Sequence, residues 1–213
     1  MTKSFIVNLK PTPIFCQNDF YFCDDKEIEA IKTNKHYKNN TMSGGGDGNY
    51  VTIDGNIFIS PELENLKNSL VTTFNNFIKN IMGIDTKFGL ERSWSTYNTK
   101  GSNHEHHRHP NIVWSAVYYV KCNEGAINFD TDNGRTSINE AFNFNYELNH
   151  RNVYNSDTWK IPVKTGTLLI FPGHVTHYGD KHLDDSERLL VGTNWFPRGR
   201  LYSGESKNEH IEI

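Results

Sequence analysis

The chain has 213 residues and a formal net charge of −3, with acidic and basic residues interspersed, so it lacks the basic surface typical of nucleic-acid-binding proteins. This length suffices for one hydrophobic core, and we expect a single domain, 1–213. No run reaches the roughly 18 apolar residues of a membrane span, and the N-terminus lacks a signal-peptide core. Three cysteines without paired spacing argue against a disulfide framework and favour a cytoplasmic location.

The first part of the chain predicts a strand and a short helix. Residues 1–23 alternate apolar and polar side chains with two prolines between them, as in a strand followed by a loop. The acids Asp24 and Asp25 suit a helix N-terminus. The glycine-rich segment 41–48 lacks the Gly-Lys-Ser/Thr ending of a phosphate-binding loop, so we interpret it as a flexible connection.

The clearest predicted helix begins at Ser60-Pro61 and ends at Gly83. Ser60 can cap the helix, Pro61 suits its first position, and glycine is a common stop. Its apolar residues recur at helical spacing; they are Leu63, Leu66, Leu70, Phe74, Phe77, Ile78 and Ile81. Such a stripe usually covers a sheet, and it could support a homodimer only if part of it stays exposed.

After Gly83 the sequence predicts one short strand after another without an intervening helix. The predicted strands are 88–97, 112–121, 126–129, 159–163, 167–171 and 188–195. This order favours a mainly β antiparallel sandwich or barrel. We therefore expect N-terminal support in 1–87, a core in 88–197, a polar tail in 198–213, and a lid or binding loop in the polar insert 130–157.

Four of the ten histidines fall within residues 104–109, where they form two pairs at i and i+2. Residues two apart on an extended segment point to the same side, so either pair could converge on one metal ion. We favour His107 and His109, because Pro110 then forces a turn beside the following strand. The other pair is His104 with His106, and we expect His104 to lie behind the ligands or at the surface.

A second stretch offers a third ligand. Strand 167–171 is followed by the turn Pro172-Gly173 and then by His174 and His177. On spacing alone, either histidine could complete the site.

Arg188 is expected to point into the interior of the fold. With strand alternation, Arg188, Leu190, Gly192 and Asn194 share one face of their strand. A buried guanidinium requires an anion, and a carboxylate held by two hydrogen bonds meets that need. The alternative is a surface arginine paired with a nearby acid, namely Asp184, Asp185 or Glu187.

These segments resemble the 2-oxoglutarate/Fe(II)-dependent oxygenase superfamily, and more narrowly the 2OG-Fe(II) oxygenases of bacteria and marine phages. The matching motifs, in chain order, are Ser93-Trp94, His107-Arg108-His109-Pro110, Ser115-Ala116-Val117-Tyr118-Tyr119-Val120, Gly125-Ala126-Ile127-Asn128-Phe129, Leu169-Ile170-Phe171-Pro172-Gly173-His174-Val175-Thr176-His177 and Glu187-Arg188. The resemblance covers about half the chain and implies a double-stranded β-helix, a cupin-like jelly roll, with N-terminal helices packed on one sheet.

The resemblance also implies the cofactors, Fe(II) and 2-oxoglutarate, and the residues that bind them. Iron ligands are implied at His107, His109 and His177. His177 is implied rather than His174, because the family's last histidine stands five positions after the proline that corresponds to Pro172. Arg188 is implied to hold the distal carboxylate of 2-oxoglutarate. Tyr118 or Tyr119, but not both, would point toward the co-substrate, and Asn194 is a further candidate for contacting it.

The expected activity is that of a dioxygenase that hydroxylates an unidentified substrate and releases succinate and CO2. One position departs from the superfamily's commonest His-x-Asp…His triad, because His109 replaces the acid. Glu105 and Asp130 are the nearest carboxylates that could substitute. Two alternatives remain: a three-His cupin-type metalloenzyme that does not use 2-oxoglutarate, and a non-enzymatic jelly-roll binding module.

Overall fold

Two antiparallel β-sheets form the body of the protein in the computed structural model. The structure describes residues 11–34, 36–38, 48–130, 152, 156, 158–201 and 211–213. Within these residues the larger sheet has seven strands, in the spatial order β1 (Phe15–Gln17), β9 (Leu168–Pro172), β6 (Trp114–Lys121), β11 (Arg188–Arg198), β4 (Lys87–Asn98), β3 (Asn49–Thr52) and β2 (His36–Lys38). Every pairing in it is antiparallel.

The smaller sheet carries most of the histidine cluster. Its order within the described chain is β5 (His104–His107), β10 (His177–Gly179), β7 (Gly125–Asp130) and β8 (Thr158–Val163). A separate ribbon pairs β12 (Arg200–Leu201) with β13 (Ile211–Glu212). The predicted polar tail therefore contributes paired strand at both of its described ends.

Two helices precede the long run of strands. Helix α1 (Asp25–Thr33) begins as predicted at Asp24, whose side chain accepts the Glu27 backbone N–H at 2.9 Å while Glu27 caps Asp24 in return. Helix α2 (Glu64–Asn76) follows two 3₁₀ turns (Ile57–Ile59 and Pro61–Leu63) and continues into a π-helical turn (Phe77–Ile81). Gly83, with φ of +66°, ends it as predicted.

Two details of the α2 prediction are wrong. Ser60 makes no capping hydrogen bond, because its hydroxyl donates to Glu62 Oε2 at 2.7 Å instead. Ile81 is 64% exposed, because the π-helical turn rotates the last residues away from the stripe that the other apolar residues follow.

The apolar stripe of α2 packs on one face of the larger sheet. Leu66, Leu70 and Phe74 belong to a buried cluster with the outward-facing residues of β6 and β11. Phe74 stacks on Trp195, with ring centroids 3.9 Å apart and nearly parallel planes. The opposite face of the larger sheet packs against the smaller sheet, so the site described below lies between two rigid walls.

The six predicted strands after Gly83 are all present, with ends shifted by up to three residues. Parts of other predictions lie outside the described residues: the first strand over 1–10, the glycine-rich loop over 41–47, and most of the insert 130–157. All three cysteines are free thiols. In the described ranges, we find no helix whose length and hydropathy would let it cross a bilayer.

Candidate metal and co-substrate site

Two of the predicted ligands face each other across neighbouring strands. His107, at the end of β5, pairs directly with His177, at the start of β10. Residues directly opposite each other in an antiparallel pair point to the same face. Their ring centroids are accordingly 4.2 Å apart.

His109 joins them from the loop that follows β5. Its backbone N–H donates to the Gly173 carbonyl at 2.8 Å, and Gly173 in turn donates to the Val113 carbonyl at 2.9 Å. Gly173 must be glycine, because a Cβ there would lie 2.6 Å from the Ile112 carbonyl oxygen. Asn111, with φ of +61°, then turns the chain into β6.

The structure brings His107, His109 and His177 into one cluster whose nearest ring nitrogens all lie within 4.8 Å of one another. His174 is exposed, whereas His177 is only 5% exposed. Of the two histidines that spacing left open, only His177 therefore faces the cluster.

Hydrogen bonds orient two of the three rings. His107 Nδ1 lies 2.7 Å from the Glu105 carbonyl oxygen, and His177 Nδ1 lies 2.9 Å from the Val175 carbonyl oxygen. A carbonyl oxygen only accepts, so Nδ1 of each ring carries the proton and Nε2 keeps its lone pair. His109 has no such bond among the described residues and is held by ring contacts, including Trp94 at 5.7 Å.

The cluster strongly favours neutral imidazole. Burial lowers the pKa of His109 to about 4, with a further contribution from His107. Burial also lowers the pKa of His107, and it holds the pKa of His177 well below its ordinary value. Neutral imidazole is the form that binds a metal ion, so at neutral pH these rings need lose no proton to do so.

Arg188 lies on the opposite wall and is 3% exposed. Its Nε donates to Asn98 Oδ1 at 3.2 Å and its Nη1 to the Asp180 carbonyl at 3.0 Å. Within the described residues, no carboxylate pairs with this guanidinium: of the proposed surface partners, Glu187 binds Lys32 and Asp185 binds Lys100. The surface alternative for Arg188 is therefore excluded.

One cavity connects the histidine cluster to Arg188, and its described lining contains no acidic residue. Glu105 is exposed and accepts from Asn103 at 3.2 Å. Asp130 lies 3.9 Å from His106 Nε2, outside the cavity. Neither carboxylate substitutes for the missing acid, and the cluster consists of three histidines.

The two tyrosines of β6 point in opposite directions. Tyr119 lines the cavity, and burial raises the pKa of its hydroxyl. Tyr118 faces the helices and donates to the Tyr21 carbonyl at 3.0 Å. The assignment of Tyr118 to the co-substrate is therefore wrong, because strand alternation turns it to the other face.

Asn194 has the predicted strand face but not the predicted contact. Its Oδ1 accepts the Ser115 hydroxyl at 2.9 Å, and Ser115, not Asn194, borders the cavity. Asn194 therefore contacts a cavity-lining side chain, Ser115, and is not itself part of the described lining.

Sequence reasoning missed several side chains that line the cavity, among them Trp94, Thr96 and His104. Because side chains alternate along a strand, Trp94 and Thr96 share the face of Asn98 in β4, and this alternation could have indicated that both line the cavity. Among described side chains, the Thr96 hydroxyl is one of the few fully buried polar groups without a hydrogen-bond partner. His104 has no such signal, because its orientation depends on an irregular strand pairing.

The arrangement of two facing antiparallel sheets, with the site between them, is a double-stranded β-helix. Among the solved structures that share this fold, three illustrate the similarity. One is HygX from Streptomyces hygroscopicus with nickel, 2-oxoglutarate and hygromycin B bound. It has 12% sequence identity, coverage of 92% of this chain and 89% of that chain, and a TM-score of 0.56. The second is a Pseudomonas putida prolyl-4-hydroxylase, with 13% sequence identity, coverage of 88% of this chain and 94% of that chain, and a TM-score of 0.55. The third is the alpha-ketoglutarate-dependent epimerase SnoN from nogalamycin biosynthesis, with 10% sequence identity, coverage of 92% of this chain and 81% of that chain, and a TM-score of 0.60.

Residues 92–194 match the family described as "Putative 2OG-Fe(II) oxygenase". The matched segment contains the three clustered histidines and Arg188, so the part of the chain that forms the site is similar to the 2OG-Fe(II) oxygenases. A search of curated proteins gave no significant sequence match.

Proposed function

We propose that this protein is an Fe(II)- and 2-oxoglutarate-dependent dioxygenase that hydroxylates its substrate. The observation that carries the proposal is the cavity itself, with three neutral imidazoles at one end, a buried guanidinium without an acidic partner at the other, and no carboxylate in its described lining. A metal ion and a dicarboxylate would satisfy both ends together.

The Nε2 atoms of His107 and His177, with one ring nitrogen of His109, would hold the metal on one face. Three neutral ligands leave both positive charges of the ion uncompensated by the protein. With Arg188, the cavity then carries three positive charges, of which the two carboxylates of 2-oxoglutarate compensate two. This balance favours a dianion over a neutral ligand.

Arg188 would anchor the distal carboxylate, and the hydrogen bonds from its Nε and Nη1 fix the orientation of the guanidinium before the ligand arrives. Tyr119 borders the path between Arg188 and the metal. Apolar rings shield the metal end from water: Phe171 meets His177 edge-on at 4.6 Å, and Phe129 lies 5.9 Å from it.

Iron(II) and 2-oxoglutarate together supply the activation of dioxygen. In the balanced reaction, a substrate C–H bond, 2-oxoglutarate and O2 give a C–OH group, succinate and CO2. The protein's part is to orient the reactants and exclude water.

We further propose that the chain functions as one domain, with residues 88–197 as its catalytic core and 1–87 as its support. The contacts of α1 and α2 with the larger sheet support this division. The three free thiols support a cytoplasmic location.

One observation favours a second candidate. Because the described cavity offers no carboxylate ligand, a three-His metalloenzyme that oxidises its substrate without 2-oxoglutarate has a matching metal site. It provides no role for the buried Arg188.

The test is the formation of succinate from 2-oxoglutarate by iron-loaded protein in air. In Arg188→Met, the 2-oxoglutarate concentration for half-maximal turnover should rise at least about 30-fold, because a buried charge partner is lost. Arg198→Met is the control, because Arg198 lies on the same strand but is exposed and binds Glu91. Unchanged dependence on 2-oxoglutarate in Arg188→Met would refute the assignment of Arg188, and oxygen consumption without 2-oxoglutarate would favour the three-His alternative.

A further inference from the structure

His104 faces the cavity because of a β-bulge. His107 pairs with His177 and His104 pairs with Gly179, so three steps along β5 match two steps along β10. The extra residue places His104 and His107 on the same face although they are three apart, with ring centroids 5.0 Å apart. Regular alternation would have turned His104 away.

The same bulge places His104 in the cavity that Arg188 lines from the other sheet. Its partner Gly179 has no side chain to fill the space above the cavity, and the next residue, Asp180, accepts Arg188 Nη1 through its carbonyl. His104 and Arg188 therefore line the same cavity, one from each sheet, and His104 also lies next to His107 of the metal cluster.

Within the described residues, neither His104 nor Arg188 uses all of its hydrogen-bonding nitrogens. Among the described residues, the His104 ring nitrogens make no hydrogen bond, and Arg188 Nη2 has no partner. An imidazole in any protonation state carries at least one N–H donor. Two donors that line one cavity from opposite walls, where the described lining contains no acid, suit a carboxylate better than water or a neutral ligand.

We propose that His104 is a co-substrate-binding residue that donates a hydrogen bond to the same distal carboxylate that Arg188 anchors. This inference rests on the proposed function, and it assigns His104 to the co-substrate rather than to the metal. The bulge in β5 then serves to aim this donor.

The test compares two 2-oxo acids bound anaerobically to nickel-loaded protein and measured by calorimetry. 2-Oxoglutarate has the distal carboxylate and 2-oxobutyrate lacks it. In His104→Leu, 2-oxoglutarate should bind about 10- to 100-fold more weakly, as for a lost hydrogen bond to a charged group, whereas 2-oxobutyrate binding should not change. His104→Gln, which keeps an N–H donor, should recover most of the affinity.

His106→Leu is the matched control, because His106 does not line the cavity and its ring lies tilted against Tyr178, with ring centroids 3.9 Å apart. Nickel affinity is measured first, and a loss in His104→Leu would make His104 a metal ligand and overturn the inference. Equal weakening of both 2-oxo acids, or of neither, would also overturn it. If wild-type protein fails to bind 2-oxoglutarate, the proposed function itself fails.

Discussion

At the scale of single residues, the three clustered histidines are held by different forces. His107 and His177 each use Nδ1 to bind a carbonyl two residues earlier in the chain, which fixes both tautomer and ring orientation. His109, at the position where the superfamily commonly has an acid, relies on its backbone hydrogen bond and on neighbouring rings. Its orientation is therefore the most sensitive to packing.

Gly192 makes room for the ring beside His109. A Cβ at Gly192 would lie 2.3 Å from Cε2 of Trp94, so the indole lies directly on the glycine backbone. Gly192→Ala should displace Trp94, loosen His109 and weaken nickel binding about 10-fold, as for lost support of a metal ligand.

Nickel titration with tryptophan fluorescence measures both effects. Gly55→Ala is the control, because its added Cβ would meet Arg92 only at ordinary contact distances of 3.8 Å or more. Wild-type nickel affinity in Gly192→Ala would contradict this account of how His109 is oriented.

At the scale of elements, the pairing of β5 with β10 collects buried and half-buried histidines whose protonation opposes folding. Burial lowers the pKa of His104 to about 3 and that of His109 to about 4, and it lowers the pKa of His107 and His177 as well. In the unfolded chain, histidine titrates near about 6.5. Below that pH the unfolded state binds more protons than the folded state, so the metal-free protein should lose stability as pH falls toward about 4.

Each such histidine should contribute a slope of about 1.4 kcal/mol per pH unit to the free energy of unfolding in this window. Urea unfolding of metal-free protein between about pH 7 and about pH 5 measures the slope. His104→Leu should reduce it by about one proton's contribution, and His174→Leu, at an exposed site, should not. Equal slopes in His104→Leu and wild type would show that His104 is not buried as described. The carboxyl groups whose pKa is lowered, such as Asp180 and Glu187, bind protons at lower pH and so affect stability below this window.

Elements with a strong local pattern could be predicted from the sequence. The stripe of α2, the capping box of α1 and the alternation of β11 each depend on residues close in the chain. Alternation correctly placed Arg188 inside. It failed for His104, because the bulge in β5 arises from pairing with a strand at least seventy residues away in the sequence.

At the scale of the whole molecule, the sandwich brings together segments that are far apart in sequence. His107 and His177 meet because β10 inserts between β5 and β7. In the larger sheet, β9 likewise pairs with β1, which lies far from it in the sequence. Strand order of this kind is set by long-range packing, so only the family resemblance, not the local pattern, indicated it. The helices on the outer face leave the inner face free for the site.

The most direct test of the central claim is anaerobic addition of Fe(II) and then 2-oxoglutarate, followed by visible absorption. Wild-type protein should develop the weak charge-transfer band of 2-oxoglutarate chelated to non-haem iron. His174→Ala should keep the band and His177→Ala should lose it, because only His177 faces the cluster. Iron that binds without producing a band in the wild-type protein would contradict the account and favour a three-His enzyme independent of 2-oxoglutarate.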